Sequence, residues 1–331
     1  MSELRREPVS QRWVVVTGQP WETLLDLLKK VKGGDQEPCP FCPGHEAETP
    51  PEIFALREPG TPANREGWMV RVVPNKFPFL RIEGELERTA EGIYDRVSGI
   101  GAHEIVIETP AHEADWGTME THQLEGILQA YRERILDLRK DHRFRSIVVA
   151  RNHGPHLATL THPHSHLLAL TVIPKRIEEE LRGLLLYHDR KERCAYCDTI
   201  RQELESNERV IQATQRFLAF VPFAARYPLE TWIIPKAHAH DFGLIGDPDL
   251  KELAGLVRDF MGRIRKLLPE PTSSLVLHTS PLQRYTEPRY HWHIEIRVRL
   301  PVAEGFEWGT GFFVNPLSPE EAARLLKEVA P

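Results

Sequence analysis

Apolar and polar residues alternate along the chain in two matching series. In the first, Gly67-Trp-Met-Val-Arg-Val-Val-Pro74 reads as a strand closed by a proline. His103-Glu-Ile-Val-Ile-Glu108 reads as a second strand that turns at Thr109-Pro110. From Met119 to Lys140 the period changes to that of a helix, with Leu124, Ile127, Leu128, Tyr131, Ile135 and Leu138 on one face. Strands follow at Ser146–Ala150 and His162–Leu170. The second series repeats the order. Phe217–Val221 ends at Pro222, and Glu230–Ile234 leads into Pro235. A helix capped by Asp249 runs to about Leu268, and strands at Ser274–His278 and His291–Leu300 close the series. The stretch Arg176–Arg193 between the two is partly helical by composition. The pattern predicts an α+β protein of two tandem units, residues 1–175 and 176–331, each an antiparallel sheet with one long helix.

Composition narrows the class. A chain of 331 residues, 27% charged and 41% apolar, fits a soluble globular protein and is long enough for one large domain or two of ordinary size. No segment approaches the ~18–20 apolar residues that span a bilayer. The opening MSELRREPVSQRW has charge but no apolar core, so no secretory signal is expected, and cysteines confined to close CxxC pairs make a reducing, cytoplasmic location the default. A net charge of −6 and a pI near 6.3 argue against nucleic acid or an anionic membrane as partner. They leave room for a local basic pocket that takes a phosphorylated small molecule. The 27 prolines predict stiff loops and sharply ended strands.

All four cysteines fall in two CxxC pairs, a spacing that suits metal binding better than a disulfide framework. Each pair is followed by histidines at similar separations. Cys39 and Cys42 precede His112 and His162, while Cys194 and Cys197 precede His238 and His291. A CxxC turn supplies two thiolates, and two distant imidazoles complete a tetrahedral set, so two closed structural Zn2+ sites per chain are expected.

His162, His164 and His166 alternate, so on a strand they point the same way, with Pro163 as a local distortion. If metal holds His162, its neighbour His164 is held rigidly beside it. A neutral imidazole is a competent nucleophile at phosphorus, which makes His164 the candidate nucleophile. The competing reading is a trio of exposed or hydrogen-bonded histidines, or a four-histidine metal cluster with His153 and His156. Asn152, Thr159 and Ser165 offer donors to phosphoryl oxygens, although loop residues of these types often bond their own backbone. The second copy reads His291-Trp-His293-Ile-Glu295, without a third histidine, which predicts a retained metal and no nucleophile. Gly305-Phe-Glu-Trp-Gly-Thr-Gly311 is glycine-rich and acidic at Glu307, and reads either as a segment that closes over a sugar hydroxyl or phosphate or as a glycine turn with no ligand.

The order CxxC, Pro-x-His, His-Pro-His resembles that of the galactose-1-phosphate uridylyltransferases, a branch of the histidine-triad superfamily. Further likeness lies in Pro8–Val16, Val73-Pro-Asn-Lys-Phe77, Phe220–Glu230, Ile234-Pro-Lys-Ala-His238 and Gly305-Phe-Glu307. The resemblance implies two histidine-triad-like domains, a homodimer with shared active sites, and ping-pong transfer. UDP-glucose gives its uridylyl group to His164, glucose 1-phosphate leaves, and galactose 1-phosphate takes the group. It also implies Cys39, Cys42, His112 and His162 as metal ligands, Asn75 and Lys76 at the nucleoside, Asn152 and Thr159 on the phosphate side, and Glu307 at the hexose.

For the second metal, zinc or iron, some members of the family use one Glu and three His, here Glu180, His278, His291 and His293. Plant-type ADP-glucose phosphorylases use a Cys2His2 set. Cys194 and Cys197 favour the latter, with His238 and His291. His166 stands where transferases and phosphorylases usually carry Gln, giving the His-x-His-x-His of triad hydrolases. Gly309–Asn315 resembles the ADP-glucose phosphorylase segment. The expected function is therefore UDP-glucose–hexose-1-phosphate uridylyltransferase. The alternatives are an ADP-sugar phosphorylase, a triad nucleotide hydrolase or, last, a non-catalytic zinc module that binds nucleotides.

Overall fold

The computed structural model describes residues 3–6, 13–16, 38–154, 158, 160–268, 271–282, 289–298 and 304–330. The first half contributes strands β1 (Glu3–Arg6), β2 (Trp13–Val16), β3 (Phe54–Arg57), β4 (Trp68–Pro74), β5 (Arg88–Glu91), β6 (Tyr94–Ser98) and β7 (Gly101–Ile107). Helix α1 (Thr121–Leu138) and strands β8 (Ser146–His153) and β9 (His164–Leu170) complete it. The second half begins with helices α2 (Lys175–Lys191) and α3 (Ala195–Ser206), followed by strands β10 (Val210–Ala213), β11 (Phe217–Phe220) and β12 (Thr231–Pro235). Helix α4 (Asp247–Leu267), strands β13 (Ser273–His278) and β14 (His293–Val298), and helices α5 (Glu304–Thr310) and α6 (Pro319–Glu328) follow. Among the described residues no helix is long and apolar enough to cross a membrane.

Both halves share one antiparallel sheet. Its ten strands run in the order β10-β11-β12-β14-β13-β8-β9-β7-β4-β3. The halves meet where β8 pairs with β13, Val149 opposite Leu277 and Arg151 opposite Leu275. A separate sheet, β2-β1-β6-β5, lies outside it. Because strand side chains alternate, each face of the large sheet takes one set of residues. Val149, Leu167, Ala169, Leu277, Ile294 and Ile296 point to the face that α1, α4 and α6 cover, and all join one hydrophobic core. The apolar period of α1 is thus spent on a core that both halves build.

Several elements differ from the sequence expectation for local reasons. The helix cap is Gly246, and Asp249 sits inside the first turn, where Asp247 and Asp249 complement the helix dipole and Pro248 fits the early position. Residues 175–191 form a complete helix. Only Ile177 and Leu184 of α2 are buried, so its apolar period is too thin to read. The closing strand of the first half starts at His164 because Pro163 has no N–H to donate to a ladder. Gly305–Gly311 is largely a short helix rather than a glycine loop.

Candidate active site and metal clusters

The polar chemistry lies on the other face of the large sheet. His164 stands opposite Ile107, and His166 stands between Ile105 on one side and Ala150 on the other. Asn152 stands opposite Ser274, and His278 opposite His293. Directly opposed residues share a face, so His103, His164, His166, Asn152, His278, His293 and Glu295 line one side of a continuous sheet. Over the second half, α2 and α3 bring Leu184, Tyr196 and Ile200 against Leu218, Phe220 and Ile234.

Two clusters assemble as the repeated motif predicts. The ligand atoms of Cys39, Cys42, His112 and His162 all lie within 4.8 Å of one another, and so do those of Cys194, Cys197, His238 and His291. In the first, His112 Nδ1 is 3.3 Å and His162 Nδ1 is 3.6 Å from Cys42 Sγ. In the second, His238 Nδ1 is 3.3 Å and His291 Nδ1 is 3.7 Å from Cys197 Sγ. His162 Nε2 donates to the Thr109 carbonyl at 2.8 Å, and His291 Nε2 donates to the Pro235 carbonyl at 2.8 Å. A carbonyl only accepts, so each proton is on Nε2 and each Nδ1 lone pair faces the sulfurs. Burial pushes the Cys39 thiol up to about 11, so a thiolate there needs a cation beside it. Hydrogen bonding from Cys197 holds Cys194 down to about 4, while Cys197 itself is raised. Two sulfurs and two imidazole nitrogens so arranged fit a tetrahedral Zn2+.

The four-residue alternative does not gather as one group, because His291 turns to the cysteines. Glu180, His278 and His293 form a third group. The His278 ring stacks on His293 at 4.7 Å, with Glu180 and Glu295 at 3.5 and 3.7 Å from its nitrogens. Burial disfavours a charge on His278, but the two carboxylates outweigh it and raise the imidazole to about 9. Tyr196 and Tyr290 donate to Glu180, and Arg226 joins Glu230 to Glu295. An ion-paired network thus encloses His293, the counterpart of the candidate nucleophile.

In the first half His164 is 4% exposed, and its Nδ1 donates to the His162 carbonyl at 2.8 Å. Burial lowers its pKa, so the ring is neutral and the lone pair is on Nε2. His293 repeats this bond to the His291 carbonyl at 3.2 Å. His166 Nδ1 lies 3.0 Å from Nε2 of His103, a residue that the sequence motifs did not single out. The Phe77 N–H donates to Asn75 Oδ1 at 2.9 Å, which turns the Asn75 amide nitrogen to His103 Nε2 at 3.0 Å. The expected nucleoside contact Asn75 is therefore engaged with the partner of His166. A histidine inside the apolar strand β7 was the available signal for His103.

Burial, helped by the neighbouring His166, holds His103 down to about 4, against an ordinary 6.5. The unfolded chain therefore takes up this proton first, and the contribution is complete above pH 6.5 and lost as pH falls toward 4. The loss amounts to about 3 kcal/mol. Unfolding free energy measured from pH 7 to pH 4.5 should fall less steeply in His103→Gln than in the parent. An equal slope would refute the assignment.

The remaining expected site residues are scattered. Asn152 Oδ1 accepts from Ser274 at 3.0 Å on the face of His164. Lys76 Nζ donates to the Glu48 carbonyl at 3.1 Å, which ties it to the loop beyond Cys42. The Ser165 hydroxyl is a correction: strand alternation turns it to the core, where it donates to Glu108 and lies 2.5 Å from the Tyr131 hydroxyl. It is not beside His164 Nε2. Glu307 accepts from the Val314 N–H at 3.1 Å within its own segment. Thr159 lies outside the described residues.

Comparison with known proteins bears on the whole chain. The family model described as galactose-1-phosphate uridyl transferase, N-terminal domain, matches residues 5–174, and that for the C-terminal domain matches residues 180–327. The chain is 34% identical to an ADP-glucose phosphorylase of Arabidopsis thaliana, covering 99% of this chain and 93% of the relative. It is 28% identical to a galactose-1-phosphate uridylyltransferase of Thermotoga maritima, over 99% and 98%. The crystal structure of an Arabidopsis thaliana ADP-glucose phosphorylase with bound ADP-glucose superposes with a TM-score of 0.77 at 31% identity, covering 100% of both chains.

Proposed function

The chain belongs to the galactose-1-phosphate uridylyltransferase family, and we propose that it passes a nucleoside monophosphate from a sugar nucleotide to a second acceptor through a covalent adduct on His164. The observation that carries this is the bond from His164 Nδ1 to the His162 carbonyl, which leaves Nε2 as an unprotonated nucleophile. His164 Nε2 attacks the α-phosphorus. The N–P bond forms, the P–O bond to the β-phosphate breaks, and hexose 1-phosphate leaves with that electron pair. The resulting imidazolium keeps its Nδ1 proton on the His162 carbonyl. An acceptor oxygen then attacks phosphorus and the N–P electron pair returns to Nε2. His166, neutral and paired with His103, borders the reacting phosphoryl group.

In the same reading Cys39, Cys42, His112 and His162 hold one Zn2+, and Cys194, Cys197, His238 and His291 hold the other. With four protein ligands each metal supplies rigidity rather than an open position. Division near residue 175, a homodimer and a cytoplasmic location belong to the same proposal, the dimer being checked by sedimentation.

The first reading of the substrates is UDP-glucose and galactose 1-phosphate, supported by the family model and the Thermotoga maritima relative. The second is ADP-glucose with phosphate as acceptor, favoured by the Cys194–Cys197 cluster and by 34% identity to the plant phosphorylase. Intact mass of the protein after mixing with each donor, without acceptor, decides between them. A gain of one nucleoside monophosphate names the base. Steady release of the monophosphate without an adduct means that water is the acceptor. Neither adduct nor release from either donor overturns the proposal.

A further inference from the structure

Residues 108 and 109 grip the nucleophile segment on both sides of His164. The Thr109 carbonyl accepts from His162 Nε2 at 2.8 Å, and the Glu108 N–H donates to the Pro163 carbonyl at 3.1 Å. The Glu108 carboxylate accepts from the Ser165 hydroxyl. Glu108 therefore holds the residue before His164 through its backbone and the residue after it through its side chain. The carboxylate is itself fixed by Arg151 Nε at 3.0 and 3.1 Å and by Trp116 Nε1 at 2.8 Å. None of Glu108, Arg151, Ser165, Tyr131 and Trp116 is more than 3% exposed. A buried ion pair of this kind is weak evidence for stability, since apolar residues often serve a core as well or better.

The second half supplies the comparison. Ile294, three residues after His291, stands where Ser165 stands three residues after His162. Leu277 opposes Ile294, as Arg151 opposes Ser165. The first half also has one residue more in the connection. Val106, opposite Ser165, is three residues from the Thr109 carbonyl, whereas Ile233, opposite Ile294, is two residues from the Pro235 carbonyl. The fold thus builds this frame with aliphatic side chains where His293 is enclosed, and with a carboxylate, a guanidinium and a hydroxyl where His164 is the candidate nucleophile.

We propose that Glu108 is a positioning residue for His164, acting through Ser165 and Pro163 and held in place by Arg151. The clamp fixes both neighbours of the nucleophile, so Nε2 keeps its aim while phosphorus moves from donor oxygen to nitrogen and back. The proposal rests on the reading of His164 as nucleophile.

The test is single-turnover adduct formation with the donor that the mass measurement selects, on metal-loaded full-length protein. Ser165→Ala removes one arm of the clamp and leaves no buried charge unpaired. Its rate should fall about 10- to 100-fold, the scale of a nucleophile displaced by up to ~1 Å, with donor affinity changed less than about two-fold. The double variant Glu108→Gln with Arg151→Leu removes both charges together and should show the same loss. Ile294→Ala in the second half lowers the melting temperature through a cavity but should leave the rate within about two-fold of the parent. Parental rates in both clamp variants overturn the inference. So does a rate loss in Ile294→Ala equal to theirs, or failure of both clamp variants to fold, since the network would then serve the fold. His164→Ala run alongside separates the two ideas: if it still forms adduct, the nucleophile reading has failed instead.

Discussion

Replacing His164 by alanine is expected to abolish adduct formation and to lower steady-state transfer by about 10⁴-fold or more, the scale seen when the nucleophile is removed from a unit whose parts act together. Donor affinity should change little, because His164 is buried and its aim, rather than its surface, is what the site uses. The internal repeat gives the control. His293 has the same kind of bond to the backbone carbonyl two residues earlier, but it is stacked under His278, whose ring nitrogens face Glu180 and Glu295. His293→Ala should therefore perturb stability and leave adduct formation intact. Intact mass with each donor reads both variants. An adduct on the His164→Ala protein would refute the mechanism, and loss of the adduct in His293→Ala alone would move the nucleophile to the second half.

Much of this arrangement was legible in the chain because it depends on short-range periods. Two CxxC pairs with matched histidines announced two clusters, and both assembled with the residues named. Alternation in His162–His166 put three imidazoles on one side of a strand, and the strand carries His164 and His166 there. The same alternation placed the Ser165 hydroxyl on the opposite face, a consequence of period two that a list of nearby polar residues overlooks. His103, Glu108 and Arg151 were not legible as a group. Their association with the nucleophile segment is fixed by strand register between β7, β8 and β9, and register is a tertiary property. For the same reason the sequence showed two separate sheets' worth of strands, whereas pairing of β8 with β13 joins them into one. The polar α2 helix hid its weight as well. Its Glu180 reaches onto His278; no local pattern signals that contact, and only the resemblance to the family grouped the two residues.

The two Cys2His2 clusters should separate in function although they look alike in composition. In the first, His162 is both a cluster member and the source of the carbonyl that orients His164. Cys39→Ser should leave one equivalent of metal per chain and free the segment that aims the nucleophile. Adduct formation should fall by about 10²-fold or more, as expected for a misplacement near 1 Å. In the second cluster, His291 orients His293 in the same manner, but His293 takes no part in the proposed chemistry. Cys194→Ser should also lose one equivalent of metal yet transfer at nearly the parental rate well below its melting point. Stability should suffer in both. A chain of this length unfolds with an entropy of roughly 0.7 kcal/mol/K, so the loss of several kcal/mol on removing a structural metal lowers Tm by about 5–10 °C. Metal content by elemental analysis, melting by calorimetry and single-turnover rate on the same samples make the comparison. Equal rate losses in the two variants would mean that the metals act only by holding the fold together. An unchanged metal content in Cys39→Ser would remove that cysteine from the ligand set.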